Sequence, residues 1–377
     1  MPKLPKVWLI TSATSPLGYS VALRALQDGD FVALGCRRDE VAADLGFALQ
    51  TLHESDGRDS DGDFDMSDTP NPSDKRLIQQ ISLSRLHTAF PSHTIIVELD
   101  TRSIPLCHSS LSQTVAAFGR VDVMLVCSTK TYVGCIEEIP LQSVVAQFEA
   151  ATFGPMNVVR AALPVLRRQR SGHVLVVTGV TGGMGTPALG LRCAADHAIE
   201  GFCDALAYEV APFGVRVSVV QPPIEVNVLS NPLTIFPEHP SYKNPPFATS
   251  TNGRIHTPVT FMRNLISTMH PATTIPTPIS PSSPPNTTPV PAHHTPPTSL
   301  LSLASILAET VHIITSISGL DDPPGRIVVG SENAEQVKER LKAVSEELED
   351  FLEVSVSVDA KGPLLHPISL GAGLKVE

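Results

Sequence analysis

The sequence has one tryptophan, few aromatic side chains, no Cys-x-x-Cys pair, no basic stripe and no apolar run long enough to span a membrane. Each absence excludes something. The six cysteines, Cys36, Cys107, Cys127, Cys135, Cys193 and Cys203, are scattered singly. Several lie in apolar runs, where cysteine acts as a small hydrophobe, so a reducing compartment is expected rather than a disulfide framework. The formal net charge of -11 and the pI near 5.6 argue against a nucleic acid or an anionic membrane as the main partner, since both reward lysine and arginine. The first residues, Met1 to Lys6, run at once into an apolar segment of four or five residues. That is too short for a secretory h-region or a span, and a cytoplasmic protein is the expectation.

A length of 377 residues with 42% hydrophobic side chains allows a large α/β domain with a sizeable core. The 34 prolines are too many for such a domain, and they are concentrated. Residues 268–298 are dominated by Pro, Thr and Ser, and residues 54–73 are acidic and rich in Ser, Gly and Asp. Both read as solvated, disordered insertions. Around them, short apolar runs alternate with helix-length segments. Strands are expected at Val7–Thr11, Phe31–Gly35, Thr94–Leu99, Val121–Cys127, Val174–Thr178, Val215–Val220 and Arg326–Val329. Helices are expected from Ser15, which caps Pro16 at the first helical position, to about Asp28, and then at Asp39–His53, Ser103–Phe118, Leu141–Arg170, Leu191–Phe213 and Ala334–Leu352. Buried strands alternating with helices imply a Rossmann-type, doubly wound parallel α/β sheet in a single domain. On this reading the domain runs through 1–53, 74–228 and 299–352, with an irregular lid of one or two helices at 229–267 and a tail at 353–377.

Specific residues carry a resemblance. Val7–Thr11, Asp100 within Leu99-Asp100-Thr101, Val121–Val126, Phe153-Gly154, Val158–Pro164 and Ala211–Val217 together resemble a short-chain dehydrogenase/reductase of the fungal type, over nearly the whole chain outside the insertions. The resemblance implies a dinucleotide cofactor on Thr11, Ser12, Ser15, Leu17, Gly18, Asp100 and Thr101. It also implies NADP in particular, because Arg37 and Arg38 stand where the family holds the 2′-phosphate, and a guanidinium fork suits a phosphate. Against this, Arg37 and Arg38 could be a solvated charged pair at a strand end.

The chain departs from the family at two places. The phosphate loop T-G-x-x-x-G-x-G is Thr11-Ser12-Ala13-Thr14-Ser15-Pro16-Leu17-Gly18 here, and only the last glycine is kept. Pro16 starts a helix well but removes an N–H donor, so weakened dinucleotide binding is expected. The second departure removes the catalytic tetrad. The asparagine falls on Ala151, the serine on Gly179, the tyrosine on Arg192 and the lysine on Asp196, while N-N-A-G becomes Cys127-Ser128-Thr129-Lys130. Carbonyl reduction needs a proton donor beside the hydride acceptor, and arginine does not release its proton near neutral pH.

Arg192 and Asp196, at i and i+4 on one helix, are expected to form a structural ion pair in the vacated site, or alternatively a substrate-carboxylate or new acid/base pair. His197 could titrate near neutrality, although a lone histidine on a helix is more often a packed or solvated residue. His293-His294 lacks further ligands, Asp59–Asp65 only faintly resembles a calcium loop, and no metal site is expected. The glycine-rich Thr178–Gly185 follows the fifth strand and belongs to the substrate side. The two long helices, with Ala194, Ala195 and Ala198, would suit a homodimer or a heterodimer. Three readings remain open: an NADP(H)-dependent oxidoreductase on a ketone or alcohol with an unfamiliar proton donor, a non-catalytic nucleotide-sensing or partner-binding protein, and a non-redox isomerase or cyclase.

Overall fold

The computed structural model describes residues 4–40, 82–243, 249–251, 254–269 and 300–356. The expected acidic and Pro-rich insertions, most of the helix expected at Asp39–His53 and His293-His294 lie outside the described residues, as does the tail beyond residue 356. Seven strands form one sheet: β1 (Val7–Ile10), β2 (Phe31–Cys36), β3 (Thr94–Glu98), β4 (Val123–Val126), β6 (Gly172–Val177), β7 (Val215–Gln221) and β11 (Arg326–Val328). Their order is β11-β7-β6-β4-β1-β2-β3, and every neighbouring pair is parallel. The strand order reverses between β1 and β4, so the crevice for a ligand opens at their carboxyl ends.

The strands are apolar on both faces because helices cover both. One face is covered by α1 (Pro16–Gln27) and α9 (Leu300–Ile317), which bury Leu17, Val21 and Ala25 with Val311, Ile314 and Ile317 against Trp8, Ile10 and Leu34. The other is covered by α3 (Ile104–Phe118), α5 (Gly154–Gln169) and α6 (Gly190–Val210), with Leu111, Val158, Val159, Ile199 and Cys203 on Leu9, Met124 and Val174. The short α2 (Leu83–Ala89) precedes β3. The indole of Trp8 is 1% exposed and donates to Asp30 Oδ2 at 2.8 Å, which ties β1 to the turn before β2.

Three local features add detail to the sequence expectation. The helix expected over Leu141–Arg170 is α4 (Leu141–Phe148) and α5 joined by a π turn, Glu149–Phe153. The lid region, expected to be irregular with one or two helices, holds two helices and three short strands among its described residues: β8 (Leu233–Ile235), α7 (Pro240–Lys243), β9 (Thr249–Thr251), β10 (Arg254–His256) and α8 (Pro258–Met269). β8 pairs in parallel with β5 (Thr131–Val133), the segment after β4. The lid also shares a small core with that segment and with the start of α6, formed by Val133, Leu189, Cys193, Leu233, Ile235 and Ile266. Finally, residues up to Ala334 form one compact unit and residues from Glu335 a second. Helix α10 (Ser331–Asp350) runs across that boundary and is followed by α11 (Leu352–Val356).

Candidate functional site

The crevice begins at the loop between β1 and α1. Thr11 and Ser12 turn their hydroxyls to the β4 end, where Thr11 Oγ1 accepts from Cys127 N at 3.0 Å and Ser12 Oγ donates to Cys127 O at 3.2 Å. Ser15 caps α1. Its Oγ accepts from Gly18 N at 3.0 Å and donates to Ser12 O at 2.7 Å. Glycine is required at 18 because any Cβ there would collide with the Ser12 carbonyl. A helix N-terminus binds anions through free N–H groups. Here Pro16 has none, and the Gly18 N–H is taken by Ser15. Leu17 is the one position of the first three whose amide is neither absent nor capped among the described residues. Two of the first three helical amide positions are thus unavailable to an anion, while the Leu17 N–H and the helix dipole remain.

Further along the crevice, toward β2 and β3, lies a cavity of about 420 Å³. Arg37, Arg38, Asp100, Arg102 and Lys130 line it. Arg37 is paired with Asp39 at 3.2 Å and Glu40 at 3.0 Å, and Arg102 with Asp100 at 2.6 Å. The hydrogen bond from Arg102 holds the Asp100 carboxyl below the usual carboxylate range. Arg38 and Lys130 carry no ion pair among the described residues, and Lys130 Nζ sits 5.3 Å from the Tyr132 ring centre. The cavity is within the range of small-molecule sites, roughly 300–1,000 Å³. The adjoining space under the loop, lined by Thr11, Ser12, Thr101, Cys127 and Ser128, is about 60 Å³. That is room for about two waters. Burial there pushes the Cys127 thiol up to about 12, so it is no thiolate nucleophile at neutral pH.

The four tetrad positions do converge beyond that narrow space, but they hold packing. Ala151 lies in the π turn at 2% exposure, and the neighbouring Thr152 Oγ1 donates to Ala195 O at 3.0 Å. Gly179 adopts φ +150°, and a Cβ on it would lie 2.7 Å from Asn227 Nδ2. Asn227, buried, donates to Thr178 O, so an amide occupies the place a serine side chain would need. Arg192 is 0% and Asp196 1% exposed. Arg192 Nε donates to Asp196 Oδ2 at 2.8 Å and Nη2 to Thr178 O at 3.2 Å. Thr181 Oγ1 also donates to Asp196 Oδ2, at 2.6 Å. A guanidinium and a carboxylate so enclosed are bonded to the protein and closed to a substrate. His197, in contrast, is on the exposed outer side of α6, with Nδ1 at 2.8 Å from Cys193 O. Of the three alanines expected at a helix-pairing surface, Ala194 and Ala198 are exposed and Ala195 is turned inward.

The ion pair belongs to a larger buried network. One turn further along α6, Glu200 is 3% exposed. Its Oε1 accepts from Thr178 Oγ1 at 2.6 Å and Gln221 Nε2 at 2.8 Å. Arg326 reaches Oε2 at 3.4 Å. Burial raises the Glu200 carboxyl above its ordinary range despite these bonds. Asn227, Glu200 and Gln221 were not among the residues expected from sequence, whereas Thr181 lies in the glycine-rich segment Thr178–Gly185. The spacing of Arg192, Asp196 and Glu200 at i, i+4 and i+8 on one helix face was a signal for Glu200. Asn227 had none. Among the described residues, no group of His, Cys, Asp and Glu is placed to hold a metal, and no helix is long and apolar enough to cross a membrane.

With this geometry in place, comparison with known proteins gives a consistent picture. The short chain dehydrogenase family matches residues 76–230. Among curated proteins, the chain is similar to "Oxidoreductase BOA17" of Botryotinia fuckeliana, at 28% identity over 58% of this chain and 65% of that protein. It is also similar to a "3-ketodihydrosphingosine reductase" of Bacteroides thetaiotaomicron, at 34% identity over 32% of this chain and 45% of that protein. The chain spans less than two thirds of the length of these relatives. Among solved structures, a short-chain dehydrogenase from Streptomyces avermitilis is matched with a TM-score of 0.64 at 22% identity, covering 94% of this chain and 100% of that one. A short-chain dehydrogenase/reductase from Burkholderia phymatum in complex with NAD is matched at 0.54 and 15% identity, over 91% and 95%. At these identities the structural matches speak for the fold.

Proposed function

We infer, from the premise that the chain belongs to the short-chain dehydrogenase family, that it is a non-catalytic member of that oxidoreductase family. The observation that carries this reading is the Arg192–Asp196 pair, sealed at 0% and 1% exposure where the proton donor and its partner cation would stand. A buried pair closed by Thr178 and Thr181 has no free proton to deliver, and removing either partner would strand the other charge. Acid/base work by Arg192 and Asp196 in an isomerase or cyclase is disfavoured on the same ground, and His197 faces away from them.

The nicotinamide cofactor of the family fits this chain at one end only. Arg37, Arg38 and Asp100 around the 420 Å³ cavity suit an adenosine carrying a 2′-phosphate. The loop of Pro16 and Ser15 and the 60 Å³ space beside it suit the pyrophosphate and second ribose poorly. The proposed role is therefore weak, NADP-preferring nucleotide sensing without hydride transfer, in a cytoplasmic protein. Pairing with another chain through α4–α5 and α6 is part of the same proposal, and the exposed Leu141, Val145, Phe153 and Tyr208 support it. The test is NADPH oxidation by the purified protein with a panel of aldehydes and ketones. No turnover above the protein-free rate is expected. Turnover that survives repurification and elutes with the chain in proportion to its amount would overturn the proposal.

A further inference from the structure

The segment after β4, Cys127-Ser128-Thr129-Lys130, holds two polar groups that the described chain does not use. Lys130 carries no ion pair among the described residues, and its contact with the Tyr132 ring, 5.3 Å from Nζ to the ring centre, occupies none of the three ammonium donors. Ser128 is 7% exposed, and its hydroxyl has no hydrogen-bond partner among the described residues. A buried polar group without a protein partner is uncommon and points to a water, an ion or a ligand. The backbone beneath both groups is fixed. Gln147, fully buried, donates from Nε2 to Lys130 O at 2.9 Å and accepts at Oε1 from Tyr132 N at 3.1 Å.

These groups stand where two spaces meet. Lys130 lines both the 420 Å³ cavity and the 60 Å³ space under the loop, and Ser128 lines the second. Arg37, Asp100 and Arg102 border both spaces too, but each is already in an ion pair. Across the cavity, Arg38 also carries no ion pair among the described residues. Arg38 follows β2 and Lys130 follows β4, with β1 between them, so their chain segments leave the sheet two strand spacings apart, about 10 Å. Cations set that far apart suit two anionic groups better than one. Glu98, at the end of β3, lines the wall beyond Arg38 and repels an anion from that side. The place for a second phosphate is at Lys130.

On the reading of this cavity as a nucleotide site, on which the assignment rests, we propose that it is built for a mononucleotide bearing two phosphates, adenosine 2′,5′-bisphosphate, and binds it at least as tightly as NADPH. Arg38 holds the 2′-phosphate, and Lys130 with the Ser128 hydroxyl holds the 5′-phosphate. Lys130 thereby takes over a contact for which two of the first three amide positions of α1 are unavailable. It also marks the end of the ligand. Past Lys130 the space narrows to about 60 Å³, room for about two waters and too little for a second ribose and its base. A terminal phosphate carries close to two negative charges, whereas the same phosphate inside a dinucleotide is a diester with one, so the bisphosphate gains more from Lys130 than NADPH does.

Calorimetric titration of the intact chain with 2′-AMP, adenosine 2′,5′-bisphosphate and NADPH tests the assignment. The bisphosphate is expected to bind about fivefold or more tighter than 2′-AMP, and NADPH no tighter than the bisphosphate. Lys130→Ala and Ser128→Ala are each expected to reduce that gain while leaving the affinity for 2′-AMP unchanged, which also shows that the variants are folded. A smaller gain in the unaltered chain, a gain unchanged in either variant, or NADPH binding tighter than the bisphosphate would overturn the assignment. If 2′-AMP binds and the bisphosphate gains nothing, the second phosphate site falls and the nucleotide reading stands. If none of the three ligands binds, both fall.

Discussion

At the scale of single residues, the decisive feature is a set of polar side chains buried at the positions where the resemblance places the family's tetrad. Buried ion pairs are weak stabilisers as pairs, yet costly to break. Arg192→Met is therefore expected to destabilise the chain by about 3–5 kcal/mol, because Asp196 would keep its charge inside the protein with Thr181 as its main partner. The double variant Arg192→Met/Asp196→Leu is expected to return most of that loss, as judged by urea denaturation. A single variant as damaging as the double, or less, would mean the pair is not sealed. The positions themselves could be assigned in the sequence through the family resemblance, which puts the tetrad on Ala151, Gly179, Arg192 and Asp196. What fills them could not be. Asn227 lies far along the chain from Gly179, and only the fold brings its amide to within 2.7 Å of where a Cβ would be.

At the scale of elements, the strands were readable because apolar runs bounded by turn residues leave few alternatives. Helix α9 was not assigned. Leu300–Ile317 directly follows the Pro-rich stretch, whose composition masked both Ser299 as a capping residue and the three- and four-residue spacing of Leu303, Leu307, Val311, Ile314 and Ile317. Its place on α1 is evident only from the shared core. The far edge of the sheet carries a polar clip that sequence could not show. His173 on β6 meets Ser218 on β7 at 2.9 Å, and Ser218 Oγ donates to Pro324 O at 2.6 Å just before β11. Burial lowers the His173 pKa to about 4. Its unfolded value is about 6.5, so between these pH values the unfolded chain binds the extra proton. Stability is thus expected to fall as the pH drops from 7 toward 4, by at most about 3 kcal/mol from this residue. Urea denaturation at pH 7 and pH 5 measures it, and His173→Phe should flatten that dependence. An unchanged slope in the variant would place the proton uptake elsewhere.

At the scale of the whole molecule, the fold is the parallel, doubly wound sheet of the short-chain dehydrogenases, and the two ends of its crevice differ. The end toward β2 and β3 keeps an open cavity where Arg38 and Lys130 carry no ion pair among the described residues, while the end toward α6 is filled by Asn227, Arg192, Asp196 and Glu200. The phosphate loop between them spends two of its first three helical amide positions on Pro16 and the Ser15 cap. A dinucleotide should then gain little over its 2′-phosphorylated adenosine half. Calorimetric titration with NADPH, NADH and 2′-AMP compares these contributions directly. The account predicts that NADPH and 2′-AMP bind with affinities within about tenfold of each other, a difference of about 1.4 kcal/mol, that NADH binds more weakly than both, and that Arg38→Ala weakens the two phosphorylated ligands alike. NADPH binding a thousandfold or more tighter than 2′-AMP, with NADH close behind it, would contradict the account, because the grip would then lie at the loop and the catalytic end.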